Sequence, residues 1–143
     1  MGKDKQKNLV GQPIFKQIIN LIPKNKFDEL ALRCKSDRYY KTFFSWDQLV
    51  TMLFGIYSRC DSMGEVCDGM RALSGKLNYL GMDCSPAKST AGDALRDRDE
   101  ELFRLFYFAL IAYFSPFLSV SRKKSIAKKG LVLMHFMRLI QVQ

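Results

Sequence analysis

Apolar residues recur three and four positions apart along most of this chain, and that spacing predicts helix after helix. Ile14, Phe15, Ile18, Ile19 and Ile22 follow Pro13 at helical intervals, with the proline suited to a first helical position. Pro23 ends that helix and opens a second, where Phe27, Leu30, Ala31 and Cys34 form one apolar stripe. Ser45 and Gln48 make a capping-box pattern before Trp46, Leu49, Val50, Leu53, Phe54, Ile56, Tyr57 and Cys60. A third helix that apolar around most of its girth is expected at the centre of the core. Ser62 and Glu65 repeat the pattern for a fourth helix reaching about Leu73, and Gly75 and Gly81 bracket a short apolar segment.

Ser85-Pro86 marks a turn, after which Ser89 or Thr90 can cap a fifth helix ending near Arg98. Asp99 can cap a sixth, with Glu100 and Glu101 well placed against its dipole. From Leu105 to Phe114 this helix is apolar without a break. A membrane span needs about 20 residues, so that run reads as a fully buried core helix. The expected fold is all-α, a compact domain of about six helices over residues 12–118. A basic tail (1–11) precedes it, and a basic linker with a C-terminal remnant (119–143) follows. Within the remnant, Leu131 to Ile140 suits a strand or a short helix equally.

Charge sharpens this picture. The 143 residues carry 23 Lys and Arg against 14 Asp and Glu, for a net +9. A surplus of that size favours nucleic acid first and an anionic membrane surface second. It is unevenly placed: residues 1–60 sum to +6, 61–118 to −3 and 119–143 to +6. No amphipathic helix has a clearly basic face, so a membrane partner is not expected. Four cysteines, at 34, 60, 67 and 84, form no C-x2-C pair, and the lone His135 is distant. Neither a zinc site nor another cofactor is expected. No signal peptide is evident, and a cytoplasmic, nucleoid-associated location is the expectation.

Five short words stand among the helices: Gly11-Gln12-Pro13-Ile14-Phe15, Asp37-Arg38-Tyr39-Tyr40-Lys41-Thr42-Phe43, Leu49-Val50-Thr51-Met52-Leu53, Leu77-Asn78-Tyr79-Leu80-Gly81 and Lys88-Ser89-Thr90-Ala91-Gly92-Asp93-Ala94. In that order and spacing the chain resembles the amino-terminal domain of DDE-type insertion-sequence transposases. The resemblance covers about Gly11 to Tyr107. It implies binding of duplex DNA at transposon ends, or assembly of the synaptic complex, ahead of an RNase H-like catalytic domain. Departures are visible. Met63-Gly64 stands where relatives tend to have Leu-Arg, and Gly92-Asp93-Ala94-Leu95 where they carry Ala or Ser followed by Asp-Ala-Asn. After the basic linker the family's Ile-Asp-Ser-Thr-like strand has no counterpart, because residues 131–140 contain no acid. A truncated or frame-shifted copy without catalytic carboxylates is the expectation.

The candidate DNA-contacting residues are Arg38, Lys41, Lys88, Ser89, Thr90 and Arg96. Arg38-Tyr39-Tyr40-Lys41 interleaves cations for phosphates with aromatics that stack or hydrogen-bond. The plainer reading packs Tyr39 and Phe43 in the core and leaves Arg38 and Lys41 solvated. Lys88-Ser89-Thr90 joins an ammonium and two hydroxyls to a helix N-terminus, which suits either a phosphate or an ordinary cap. The 62–73 and 90–98 helices could pair as a helix-turn-helix, although their separation is much longer than the usual turn of about 3–4 residues. The run from Arg122 to Lys129 suits sequence-independent binding or plain solvation.

Acid pairs at Glu65/Asp68 and Asp93/Asp97 read as surface rather than as a two-metal site. No catalysis is therefore expected. The alternative function is a helical interaction module that associates with itself or with full-length transposase and inhibits it.

Overall fold

The computed structural model of the protein describes residues 13–118. The expected basic tail, the Arg122–Lys129 run and the Leu131–Ile140 segment lie outside the described residues. Six α-helices follow one another: α1 (Ile14–Leu21), α2 (Lys24–Arg33), α3 (Ser45–Ser58), α4 (Met63–Ala72), α5 (Lys88–Asp97) and α6 (Glu101–Phe114). Two 3-10 helices, Ser74–Leu80 and Ser115–Phe117, follow α4 and α6. No strand occurs among the described residues, so the fold is all-α as the periodicity requires.

Several helix starts differ from expectation by one residue. Pro13 and Pro23 precede their helices, with ψ of 141° and 85°. Their carbonyls still accept from Gln17 at 3.1 Å and Phe27 at 3.3 Å, as N-cap carbonyls do. In α3 the cap is Phe44, whose N–H donates to the Asp47 carboxylate at 2.9 Å. Ser45 and Gln48 are not its capping box: both are buried and face inward. α4 starts as expected, with Ser62 Oγ accepting from the Glu65 N–H at 3.3 Å. The Glu65 carboxylate reaches back one residue further, to the Asp61 N–H at 2.8 Å. α5 begins at Lys88 without a side-chain cap, so Ser89 and Thr90 occupy its first turn. The Asp99 carboxylate accepts from the Glu101 N–H at 3.0 Å at the start of α6.

The main core joins Phe15 and Ile19 of α1, Phe27 of α2, Trp46, Val50 and Phe54 of α3, and Met70 of α4 to Leu77, Met82, Leu102 and Phe106. α3 is the hub and packs on α1, α2, α4 and α5. Its approach to α4 is close: a Cβ on Gly55 would lie 2.8 Å from Val66 Cγ2. Its girth is not wholly covered, and Ile56 and Tyr57 are exposed. α6 departs further from expectation. Of the run from Leu105 to Phe114 only Phe106 is buried, while Phe108 and Tyr113 are exposed. The reason is its neighbourhood. α6 packs mainly on α2, and a single neighbouring helix covers a single arc.

Gly81 ends the 3-10 helix with φ +77°, and a Cβ there would stand 3.1 Å from Trp46 Nε1. That indole N–H donates to Leu80 O at 3.0 Å, so the turn and the core tryptophan are locked together. Gly81→Ala is expected to cost about 2 kcal/mol, from the left-handed backbone and the crowded indole. The control is Gly92→Ala inside α5, where nothing stands within 4 Å of the new methyl. It should stabilise by about 1 kcal/mol. Urea midpoints moving in opposite directions would bear this out, and equal midpoints would refute it.

Candidate nucleic-acid interface

Arg98 organises a constellation that spans distant parts of the sequence. Leaving α5, the chain turns extended at this residue, and the Arg98 side chain is only 1% exposed. One guanidinium nitrogen donates to the Gln48 side-chain oxygen. The other donates to Phe43 O at 2.8 Å and faces Asp37 Oδ1 at 3.4 Å. The guanidinium also lies 3.8 Å from the centre of the Tyr40 ring. Asp37 Oδ1 in turn accepts from the Ser45 N–H and from Ser45 Oγ, both at 2.7 Å. Burial pulls the Arg98 pKa down, and the Asp37 carboxylate is the largest influence pushing it back up. Its Nε is buried without a partner.

These bonds fix the word Asp37–Phe43 from the inside, at Asp37, Tyr40 and Phe43. Phe43 is buried, and with Tyr40 it packs against Cys67, Ala91, Ala94 and Met63 of α4 and α5. Burial pushes the Cys67 thiol's pKa up, as befits a small core side chain. What remains faces outward. Arg38 and Lys41 are exposed, and Tyr39 is 84% exposed with the Arg38 guanidinium 5.4 Å from its ring centre. The plainer expectation for this word therefore holds for Phe43 and fails for Tyr39.

Lys88, Ser89 and Thr90 are all exposed in the first turn of α5. The Lys88 side chain lies over the first turn of α4, where a Cβ on Gly64 would be 3.8 Å from both Cδ and Nζ. Lys88 is thus one turn before Ala91, on the same seam that receives Phe43 and Tyr40. The two cationic clusters border one small apolar cluster.

Arg96 belongs to neither. Its guanidinium holds Asp97 at 2.9 and 3.2 Å and Asp93 at 2.9 Å, so its charge is matched within its own helix. The other candidate acid pair is also spoken for. Asp68 faces Arg71 at 3.2 Å, and Glu65 serves the α4 cap. Among the described residues no three His, Cys, Asp or Glu side chains stand close enough to hold a metal ion. α4 and α5 do touch, but the chain between them includes the 3-10 helix Ser74–Leu80, unlike a short helix-turn-helix connection.

The electrostatics restrict where an anion could approach. Residues 13–118 hold 14 basic and 13 acidic side chains, a net of only +1. A cleft of about 300 Å³ beside Trp46 is lined by Asp28, Asp37, Asp47 and Asp83 with Lys24. Burial raises the Asp47 pKa, and Asp83 and Asp37 add to the rise. Asp28 and Asp37 have cationic partners, but Asp47 and Asp83 have none among the described residues, so these two carboxylates would repel a phosphate from that cleft. No helix of the described residues is long and apolar enough to cross a membrane.

No curated protein and no solved structure matches this sequence. A family model does match, over residues 10–83, from the segment ahead of α1 to just beyond Gly81. α5, α6 and Arg98 fall outside the matched stretch. By that match the chain belongs to the family of a domain of unknown function, DUF4372.

Proposed function

We propose that this protein is a DNA-binding and assembly domain of an insertion-sequence transposase, contacting duplex DNA at transposon ends and performing no strand cleavage itself. The five words shared with such domains motivate the reading. The observation that carries it is the Arg98-pinned loop, which turns Asp37, Tyr40 and Phe43 inward and presents Arg38, Tyr39 and Lys41 to solvent. A loop fixed in this way loses little entropy when it meets a phosphate backbone. Lys88 supplies a third cation along the same seam, with the free N–H groups of the α5 start nearby. The helical body is almost neutral, so most long-range attraction would come from the +2 of residues 1–12 and the +6 of residues 119–143. The loop would then set position rather than strength.

Salt dependence tests this. Each phosphate contact contributes about 0.9 to the slope of log affinity against log salt. Replacing Arg38, Lys41 and Lys88 together by alanine is expected to flatten that slope by roughly 2–3. Arg96→Ala should leave it nearly unchanged, because that charge is already matched. An unchanged slope in the triple variant would move the contact surface elsewhere.

The second reading is an interaction module that binds itself or a full-length transposase. It is favoured by the outward apolar residues Ile14 and Leu21 of α1 and Phe108 and Tyr113 of α6. No DNA binding by the wild-type chain at low salt would make it the better reading.

A further inference from the structure

Beside the pinned loop lies a second groove, of about 570 Å³, lined by Asp28, Ala31, Leu32, Lys35, Asp37 and Arg38. We infer that this groove, with Tyr39 beside Arg38, is a seat for an unpaired nucleotide. The inference rests on the DNA-binding reading and narrows it to a single-stranded or frayed segment next to the duplex.

The charge in the groove favours an anion. Asp28 is engaged by Lys24 at 2.9 Å, and Asp37 by Ser45 and Arg98. Both carboxylates are thus compensated from within the fold. Lys35 and Arg38 have no carboxylate partner among the described residues. Lys35 holds φ +53° just after α2, and this left-handed turn brings the chain back past Ala31 and Leu32.

The apolar surface favours a base over a bare phosphate. Leu32 is 80% exposed on the groove wall, and Tyr39 shows most of its ring to water. Leu32 on α2 and Tyr39 on the pinned loop thus hold large apolar surface in water that a ligand could bury. A base inside a duplex has both faces stacked on its neighbours and cannot use that surface. An unpaired base presents a free π-face to an aromatic ring or a guanidinium plane, and its phosphate can reach the cations.

The experiment uses the full chain and three fluorescein-labelled DNAs: a blunt duplex, the same duplex with an unpaired tail of a few nucleotides, and that tail strand alone. Tailed duplex is expected to bind about ten-fold tighter than blunt duplex, within the range for stacking one base. Tyr39→Ala should abolish that preference and Tyr39→Phe should retain it. A 2-aminopurine in the tail should lose fluorescence on binding wild-type protein and keep it with Tyr39→Ala. Tyr39 is exposed and makes no core contact, so circular dichroism of Tyr39→Ala should match wild type. Equal affinity for blunt and tailed DNA, or a preference that survives Tyr39→Ala, overturns the seat while leaving duplex binding intact. Failure to bind any of the three DNAs overturns the seat and the DNA-binding reading together.

Discussion

Arg98→Ala is expected to destabilise the protein by about 2–4 kcal/mol, because a buried guanidinium that bridges two buried acceptors and a partly buried carboxylate is lost. Three acceptors lose their donor at once: the Gln48 side-chain oxygen, Phe43 O and one contact of Asp37. Phe43 O and Gln48 are buried, and unsatisfied buried acceptors each cost about 1–3 kcal/mol. The residual contacts of Asp37 with Ser45 hold the start of α3 but do not reach α5. Arg98→Lys should be nearly as damaging, because a lysine point charge cannot bridge three acceptors and stack on Tyr40. Urea unfolding reads the effect, and a loss under about 1 kcal/mol would show that the network is not what holds the loop. Function separates the two roles of the residue. At temperatures where Arg98→Ala stays folded, its salt slope for DNA should fall towards that of the Arg38/Lys41/Lys88 variant, since the same loop has lost its support.

That hub was not legible in the sequence, and the reason is physical. Arg98 lies 50, 55 and 61 residues from Gln48, Phe43 and Asp37, and no local spacing marks one arginine among 14 basic residues as buried. The available signals were indirect: an acid at the head of the 37–43 word and a Gln on an otherwise apolar helix. Arg96, two residues earlier, shows the opposite case. Asp93 stands three residues before it, a spacing that already implies an ion pair on a helix, so this pairing could have been read directly. Helix count and the inward faces of α1 and α2 followed from apolar spacing, since Phe15, Ile19, Phe27 and Ala31 are all buried. What spacing could not give was the extent of cover. Ile56, Tyr57, Phe108 and Tyr113 are apolar by composition and exposed by circumstance, because their helices present more apolar girth than their neighbours enclose. Tyr39 was ambiguous for the same reason. Its neighbour Tyr40 takes the inward position under Arg98.

The second large effect is expected at Phe27. Its ring is 1% exposed and stands edge-on to Phe106 at 4.9 Å and to Trp46 at 5.6 Å, with Phe103 at 6.3 Å. One residue of α2 therefore joins the central helix α3 to α6. Because α6 packs mainly on α2, it has little other purchase on the body. Phe27→Ala should cost about 3–5 kcal/mol through the cavity and the lost aromatic contacts. Against a total of about 5–15 kcal/mol for a domain, that is enough to populate unfolded chain at moderate temperature. Loosening should begin at α6, whose amides are expected to lose hydrogen-exchange protection before those of α3 and α4. Leu32→Ala on the opposite side of α2 provides the scale: at 80% exposure it should change stability by no more than about 0.5 kcal/mol. If the two substitutions on this one helix cost the same, Phe27 is not the seam between α2, α3 and α6, and the described packing of α6 is wrong.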